Sequence, residues 1–352
     1  MKNDMYAKIQ KKNKKYLKIG LVLGFLILFT VLISIRLGRA DISFSDITNI
    51  IIGKLTLESS FYENIHPYKT AIVWDIRLPR ILVALVVGCG LAIAGTIFQS
   101  LLMNPLADPY TIGVSTGAAF GASIALYINL FLVTIQLPVT PFAFIGAILT
   151  FILVLKISNF GGIMNTSNMI IAGIIVSTIL AAGISFIKNA AGEQVHIIIY
   201  WLMGSLVART WMHVSLVLPI ILVGSVIAFI YADDLNLLCM GENDAKSLGV
   251  DIKKMRSIFL LLGSIMTAAC VSVSGIIGFV GLIVPHLLRF AFSSDNKILI
   301  PLSGLLGGFI LVIADNITRV LFVSEIPVGV LTTLIGGPFF IYIFIKKNKY
   351  LY

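Results

Sequence analysis

Apolar residues fall along this chain in runs of about 20, separated by short polar stretches rich in Pro, Gly, Asn and Lys. A run of that length crosses the hydrocarbon core of a bilayer as an α-helix. A membrane barrel would instead alternate apolar and polar residues in shorter segments. The pattern predicts spans at 19–35, 78–103, 110–130, 141–157, 168–187, 211–231, 257–274, 275–292, 298–318 and 328–345. The eighth is short and irregular and carries Pro285; the tenth carries Pro338, which is expected to kink it. Between the second and third spans, NPLADP breaks the chain, because Pro105 and Pro109 each disfavour helix in the residue before them. A half-polar stretch, 188–209, contains YWLMGSL and predicts a short helix lying partly in the membrane. Arg77 and Arg80 stand either side of Pro79 and read as charges at a boundary, outside any helix interior. The expected fold class is all-α and polytopic, with about ten transmembrane helices in one domain over 1–352.

Composition agrees. Hydrophobic residues make up 58% of the chain and charged residues 12%, about half the charged share of a soluble domain. The net charge of +10 lies in the tail (1–18), in a few loops and at the C-terminus (346–352). That distribution follows the positive-inside rule and presents no basic face for nucleic acid. With the N-terminus inside, 17 of the 26 Lys and Arg residues fall on inner segments. Both termini are therefore expected on the cytoplasmic side, and Arg77, Arg80 and Arg319 on the outer side. The tail and first run lack a clear cleavage site and read as a retained span rather than a signal peptide.

Candidate chemistry is sparse. Cys89, Cys239 and Cys270 and the four histidines have no metal-ligand spacing. No catalytic constellation and no metal site are expected. No G-x-x-x-x-G-K-[ST] is present, so any ATP must be hydrolysed by another subunit. No span carries a mid-membrane acid or lysine of the sort that ion-coupled transporters use, which counts against a proton-coupled secondary transporter. Small residues recur every fourth position at Ala84, Gly88, Ala92, Thr96 and Ser100, and again at Gly113, Gly117, Gly121 and Ala125. Such ladders let helix backbones approach closely.

RLPRILVALVVGCGLAIAGTIFQSLLMNPLADPYTIGVSTGA, YWLMGSL, GENDAKSLGV, GFVGLIVPHLLRF and EIPVGVLTTLIGGPFFIYIF occur in this order. Together they resemble the iron-siderophore and cobalamin permease family of ABC importers over about 19–346. Residues 40–74 resemble it least. The resemblance implies the type II ABC importer permease fold in a bacterial plasma membrane. It implies a homodimer, two ABC ATPase subunits carrying ATP and Mg, an extracytoplasmic binding protein, and no cofactor on this chain. It further implies that Arg77, Arg80 and Arg319 meet acidic residues of the binding protein. Arginine suits that role, since its planar fork pairs bidentately with carboxylates.

In the same reading 232–256 is a cytoplasmic coupling loop. Gly241, Glu242, Asn243, Asp244, Ala245, Lys246, Ser247, Leu248 and Gly249 form a short helix that docks on the ATPase. Gly241 opens a turn, Glu242 and Asp244 suit a first helical turn, and Gly249 ends the helix. Thr166 and Ser167 match a cytoplasmic gate. Gln99, Asn104, Gly336, Gly337 and Pro338 are candidates for lining or bending the path. The expected cargo is a ferric siderophore, with haem or cobalamin as alternatives. A membrane-embedded scaffold or receptor component is a further alternative, against which the docking helix counts.

Overall fold

The structure, a computed structural model, describes residues 2–38, 40–132, 136–159, 166–322 and 324–348. The side chains of 2–13, 166, 342–344 and 346–348 lie outside that description. Among the described residues there are helices and no strands. In chain order they are α1 (Lys2–Arg36), α2 (Phe44–Thr56), α3 (Pro67–Ala71), α4 (Leu78–Leu101), α5 (Val114–Phe131), α6 (Val139–Ser158), α7 (Thr166–Ala190) and α8 (Val195–Leu202). The second half adds α9 (Trp211–Ile230), α10 (Ala232–Leu238), α11 (Glu242–Ser247), α12 (Ile252–Ser274), α13 (Val280–Ala291), α14 (Asn296–Val320) and α15 (Val328–Asn348).

Eight of the described helices are long and apolar enough to cross a membrane, with two shorter apolar helices at 280–291 and 328–341. The 12 residues of α13 rise only about 18 Å, short of a hydrocarbon core. Its approach from α12 is non-helical, through residues 275–279, and is partly buried in protein, Gly275 and Ile277 fully so. Backbone at that depth must be satisfied by protein. Gly275 N–H donates to the Val271 carbonyl, the Ile277 carbonyl accepts from the Tyr110 hydroxyl, and the Phe279 carbonyl accepts from Ile283 N–H. The irregular eighth span is thus a half-length helix with a non-helical entry.

The helix α4 forms the axis of the bundle: 83% of its apolar window is buried, against 11% for α1. Its small-residue ladder faces α14. A Cβ on Gly88 would stand 2.3 Å from the Gly307 carbonyl oxygen. Further along, Thr96 Oγ1 meets Ser303 Oγ at 3.0 Å and Ser100 Oγ donates to Asn296 Oδ1 at 2.8 Å. The second ladder joins α5 to α6, where a Cβ on Gly121 would stand 2.2 Å from the Phe142 carbonyl oxygen. Close backbone approach supplies the contact that apolar packing cannot supply in lipid.

Two boundaries differ from the pattern in the sequence. The basic tail is helical and continuous with the first span, because Lys, Gln and Ala favour helix and nothing breaks it. The second span begins at Pro67 and runs to Leu101 as one 35-residue helix. Arg77 and Arg80 therefore lie within a helix after all. Between α3 and α4 the chain makes a π-helical turn, Ile72–Arg77, in which Leu78 N–H donates to the Val73 carbonyl. A wider turn there leaves room for the Pro79 ring, which would crowd an ordinary α-helical carbonyl. The expected short helix in 188–209 is α8, eight residues long.

Candidate functional sites at the two ends of the bundle

At the N-terminal end of α4 the arginines converge. Arg77 is 5% exposed, and its fork is filled by backbone. Nη1 donates to the Ile35 and Arg36 carbonyls at 2.7 and 3.1 Å, and Nη2 to the Ala40 carbonyl at 2.8 Å. The first two carbonyls end α1, whose last residues have no helical donor, and Ala40 lies just beyond it. Gly38 sits against the guanidinium, and a Cβ there would meet Arg77 Nη2 at 2.7 Å. Arg77 thus fixes the exit of α1 to the start of α4.

Arg80, one helical turn on, is 7% exposed and holds two carboxylates. Nε donates to both Asp315 oxygens at 3.0 Å and Nη2 to Oδ1 at 2.8 Å. Nη1 donates to Glu325 Oε2 at 2.8 Å. Arg319, one turn beyond Asp315 on α14, donates from Nη2 to the Ser34 carbonyl at 2.6 Å and to Asn316 Oδ1 at 2.9 Å. Its Nε and Nη1 are buried and have no hydrogen-bond partner among the described residues.

All three arginines line one cavity of about 530 Å³, together with Gly38, Ala40, Ile72, Ile76, Ser324 and Glu325. Arg209, which reads in the sequence only as a loop charge, is a fourth cation on this side. It meets His213 at 3.3 Å, and burial lowers its pKa, with nearby Arg80 adding to the effect. Trp211 ties the start of α9 to the same place, its indole N–H donating to the Trp74 carbonyl at 2.9 Å. Neither Asp315 nor Glu325 is legible in the sequence as a partner of Arg80. The only hint is their position in the same stretch as Arg319.

At the opposite end, about 36 Å along α4, stands α11. Gly241 at its N-cap has φ 114° and Gly249 just beyond it has φ 88°, a region that L side chains rarely adopt. Glu242 and Asp244 occupy its first turn, as expected, and Glu242 pairs with Arg256 of α12 at 2.6 Å. Ala245 is buried as the anchor, while Asn243, Asp244, Lys246, Ser247 and Leu248 are exposed. The result is a small helix with one seated face and one open face.

Beside it, a polar network ties α10 into the bundle. Asn236 donates to Asp295 and accepts from Asn296 N–H, both at 2.8 Å. Asn296 accepts from Ser100, and Ser100 also receives Arg289 Nη2 at 3.0 Å. Arg289 Nη1 donates to Gln99 Oε1, whose amide donates to the Leu282 carbonyl at 3.0 Å. Gln99 is therefore 3% exposed inside this network and lines no open path in this structure. Asn104 is an exposed turn residue accepting from Leu106 N–H. Gly336 lines an apolar cavity of about 330 Å³ with Phe279 and Phe339. Gly337 is half-buried beside it and Pro338 is exposed, both inside α15. Thr166 and Ser167 open α7; Ser167 is exposed, and the Thr166 side chain lies outside the described residues.

Among the described residues, eight long and two shorter apolar helices, cationic at one end and with a small open-faced helix at the other, define a polytopic membrane protein. Residues 26–346 match the FecCD transport family, and the chain belongs to that family of ABC importer permeases. It is 43% identical over 272 residues to a cobalamin import system permease of Halobacterium salinarum, covering 77% of this chain and 73% of that one. It is 34% identical over 337 residues to an Fe(3+)-citrate import system permease of Bacillus subtilis, covering 96% and 97%. Its fold matches a metal-chelate type ABC transporter in an inward-facing conformation, with TM-score 0.80, 32% identity and coverage of 94% and 99%. Permeases of this family are translocation subunits, and the ATPase is a separate chain.

Proposed function

We propose that this chain carries a ferric siderophore across the bacterial plasma membrane, working as a homodimer on two ABC ATPase subunits. An extracytoplasmic binding protein delivers the cargo at the arginine end. The ATPases sit under α11, and in this reading both termini lie in the cytoplasm. The observation that carries the reading is the pairing, on one buried helix, of an arginine-lined cavity at one end with an exposed docking helix at the other. ATP binding by the partners moves α11, and the bundle changes state because the partners bind its two states with different affinity.

Two comparisons support a chelate as cargo. A relative matched over nearly its full length is an Fe(3+)-citrate import permease by its name. The 32% identical structure is described as a metal-chelate type transporter. A corrinoid is the second reading, favoured by the 43% identical cobalamin permease.

The test is uptake of radio-iron from a panel of ferric siderophores, in cells lacking the permease and in cells with it restored. Restored uptake that vanadate stops supports the proposal. Uptake of cobalamin alone moves the assignment to the corrinoid. Uptake that survives vanadate and collapses with the proton gradient rejects ATP-driven import.

A further inference from the structure

We propose that Glu325 is a built-in occupant of the carboxylate seat on Arg80. It holds the edge of the guanidinium that an acidic side chain of the binding protein takes on docking. The inference rests on the docking role proposed above for the arginine end.

The two carboxylates on Arg80 are held very differently. Asp315 takes the Nε and Nη2 edge from within α14, and its side chain is 2% exposed. Glu325 takes Nη1 from the non-helical link between α14 and α15, and its side chain is 35% exposed. Removing a partner from a fully buried pair is strongly disfavoured, whereas a carboxylate at the solvent edge leaves into water at less cost, and a second carboxylate taking its place keeps the buried Arg80 paired. Asp315 is thus fixed and Glu325 is replaceable. Arg80 is its one ion-pair partner among the described residues.

The surroundings favour an incoming acid. Arg319 Nε and Nη1 are buried without partners at the same cavity, and Arg77 lines its wall. With Glu325 in place, three guanidiniums face two carboxylates. When Glu325 swings out, Arg80 Nη1 opens on the cavity that Arg319 also lines. An incoming carboxylate then finds a charge-assisted donor on Arg80 in the field of a second guanidinium. Glu325 in the resting state keeps Arg80 paired, so the empty permease does not hold a desolvated, half-paired cation. It also sets a threshold that a stray anion fails to cross and a shaped acidic partner crosses.

The experiment measures affinity of the permease–ATPase complex in nanodiscs for the cargo-free binding protein that supports its uptake. Wild type is compared with Glu325→Gln and Glu325→Asp, each checked for an unchanged melting temperature, and with Arg319→Glu, which loses the bond to the Ser34 carbonyl and is checked for an intact, monodisperse complex. Glu325→Gln removes the competing charge. Glu325→Asp keeps the charge and shortens its reach to Arg80. The expected result is about fivefold tighter binding in both Glu325 variants, about the worth of one pair with a member at the solvent edge, and weaker binding in Arg319→Glu. Tighter binding in Glu325→Gln alone means general repulsion of an acidic partner, and overturns the capping role. Unchanged or weaker binding in both, with Arg319→Glu still weakened, also overturns it while the docking surface stands. Binding that no variant alters, Arg319→Glu included, rejects the docking surface itself.

Discussion

Arg80 of α4 grips Asp315 of α14 through three hydrogen bonds, although 235 residues separate them in sequence. The pair lies buried where the two helices that share the small-residue ladder meet the cationic cavity. A buried pair contributes little relative to a well-packed apolar pair, yet removing Asp315 leaves the buried guanidinium only the part-exposed Glu325 on Nη1. Asp315→Ala should therefore lower stability by about 2–4 kcal/mol, somewhat below the cost of a wholly stranded charge. The double variant Arg80→Met with Asp315→Leu should recover most of that loss. Thermal unfolding of the purified protein in detergent measures both. A double variant as unstable as the single one would show that packing, and not the stranded charge, sets the cost.

Backbone contact between α4 and α14 makes a second prediction. A Cβ on Gly88 would come 2.3 Å from a backbone oxygen, and no side-chain motion relieves that. Gly88→Ala should separate the helices and cost about 1–3 kcal/mol, as overpacking does. On α1, a Cβ added to Gly24 would meet nothing within 4 Å. Gly24→Ala should instead leave the melting temperature equal or slightly higher, because alanine is the better helix former.

Much of this is legible in the sequence, and the illegible parts share a cause. The spans announce themselves through run length, and the ladders through a four-residue period that the structure pairs with Gly307 and Phe142. The bounds of α11 follow from Gly241 and Gly249, whose positive φ values explain the residue type. The continuity of Pro67–Leu101 is hidden, because the rule for residues around proline is local and the π-helical turn relieves it. The half-length α13 reads as an irregular span because hydropathy records burial from water without distinguishing helix from non-helical chain. For Arg80, Gln99 and Arg289 the missing information is the partner. A charge's role is set by what stands across the bundle, and Asp315 and Glu325 are far away in sequence.

The open face of α11 separates docking from folding. Leu248 is 60% exposed at its C-terminal end, whereas Ala245 is fully buried. Leu248→Asp should leave the stability of the permease within about 0.5 kcal/mol of wild type, as surface changes do. It should also sharply reduce the ATPase that co-purifies with the permease. Ala245→Glu should lose both, since it forces a carboxylate into the seat of the helix. Full ATPase recovery with Leu248→Asp would remove α11 from the interface.

Asp108 gives the chain a pH-dependent element. It lies in the proline-bracketed break between α4 and α5, where burial pushes its pKa up to about 6 against the pull of the Tyr110 N–H bonded to Oδ1. The folded state then holds a proton that the unfolded state, with an ordinary carboxyl near about 4, has already released. Stability should fall as pH rises from about 4 to about 6 and level off above, by at most about 2–3 kcal/mol. Asp108→Asn keeps an oxygen to accept from Tyr110 and cannot ionise. It should match wild type below about pH 4 and be the more stable protein above about pH 6. Melting temperatures of the two proteins across that range decide the matter: parallel curves would mean that Asp108 ionises without penalty where it stands.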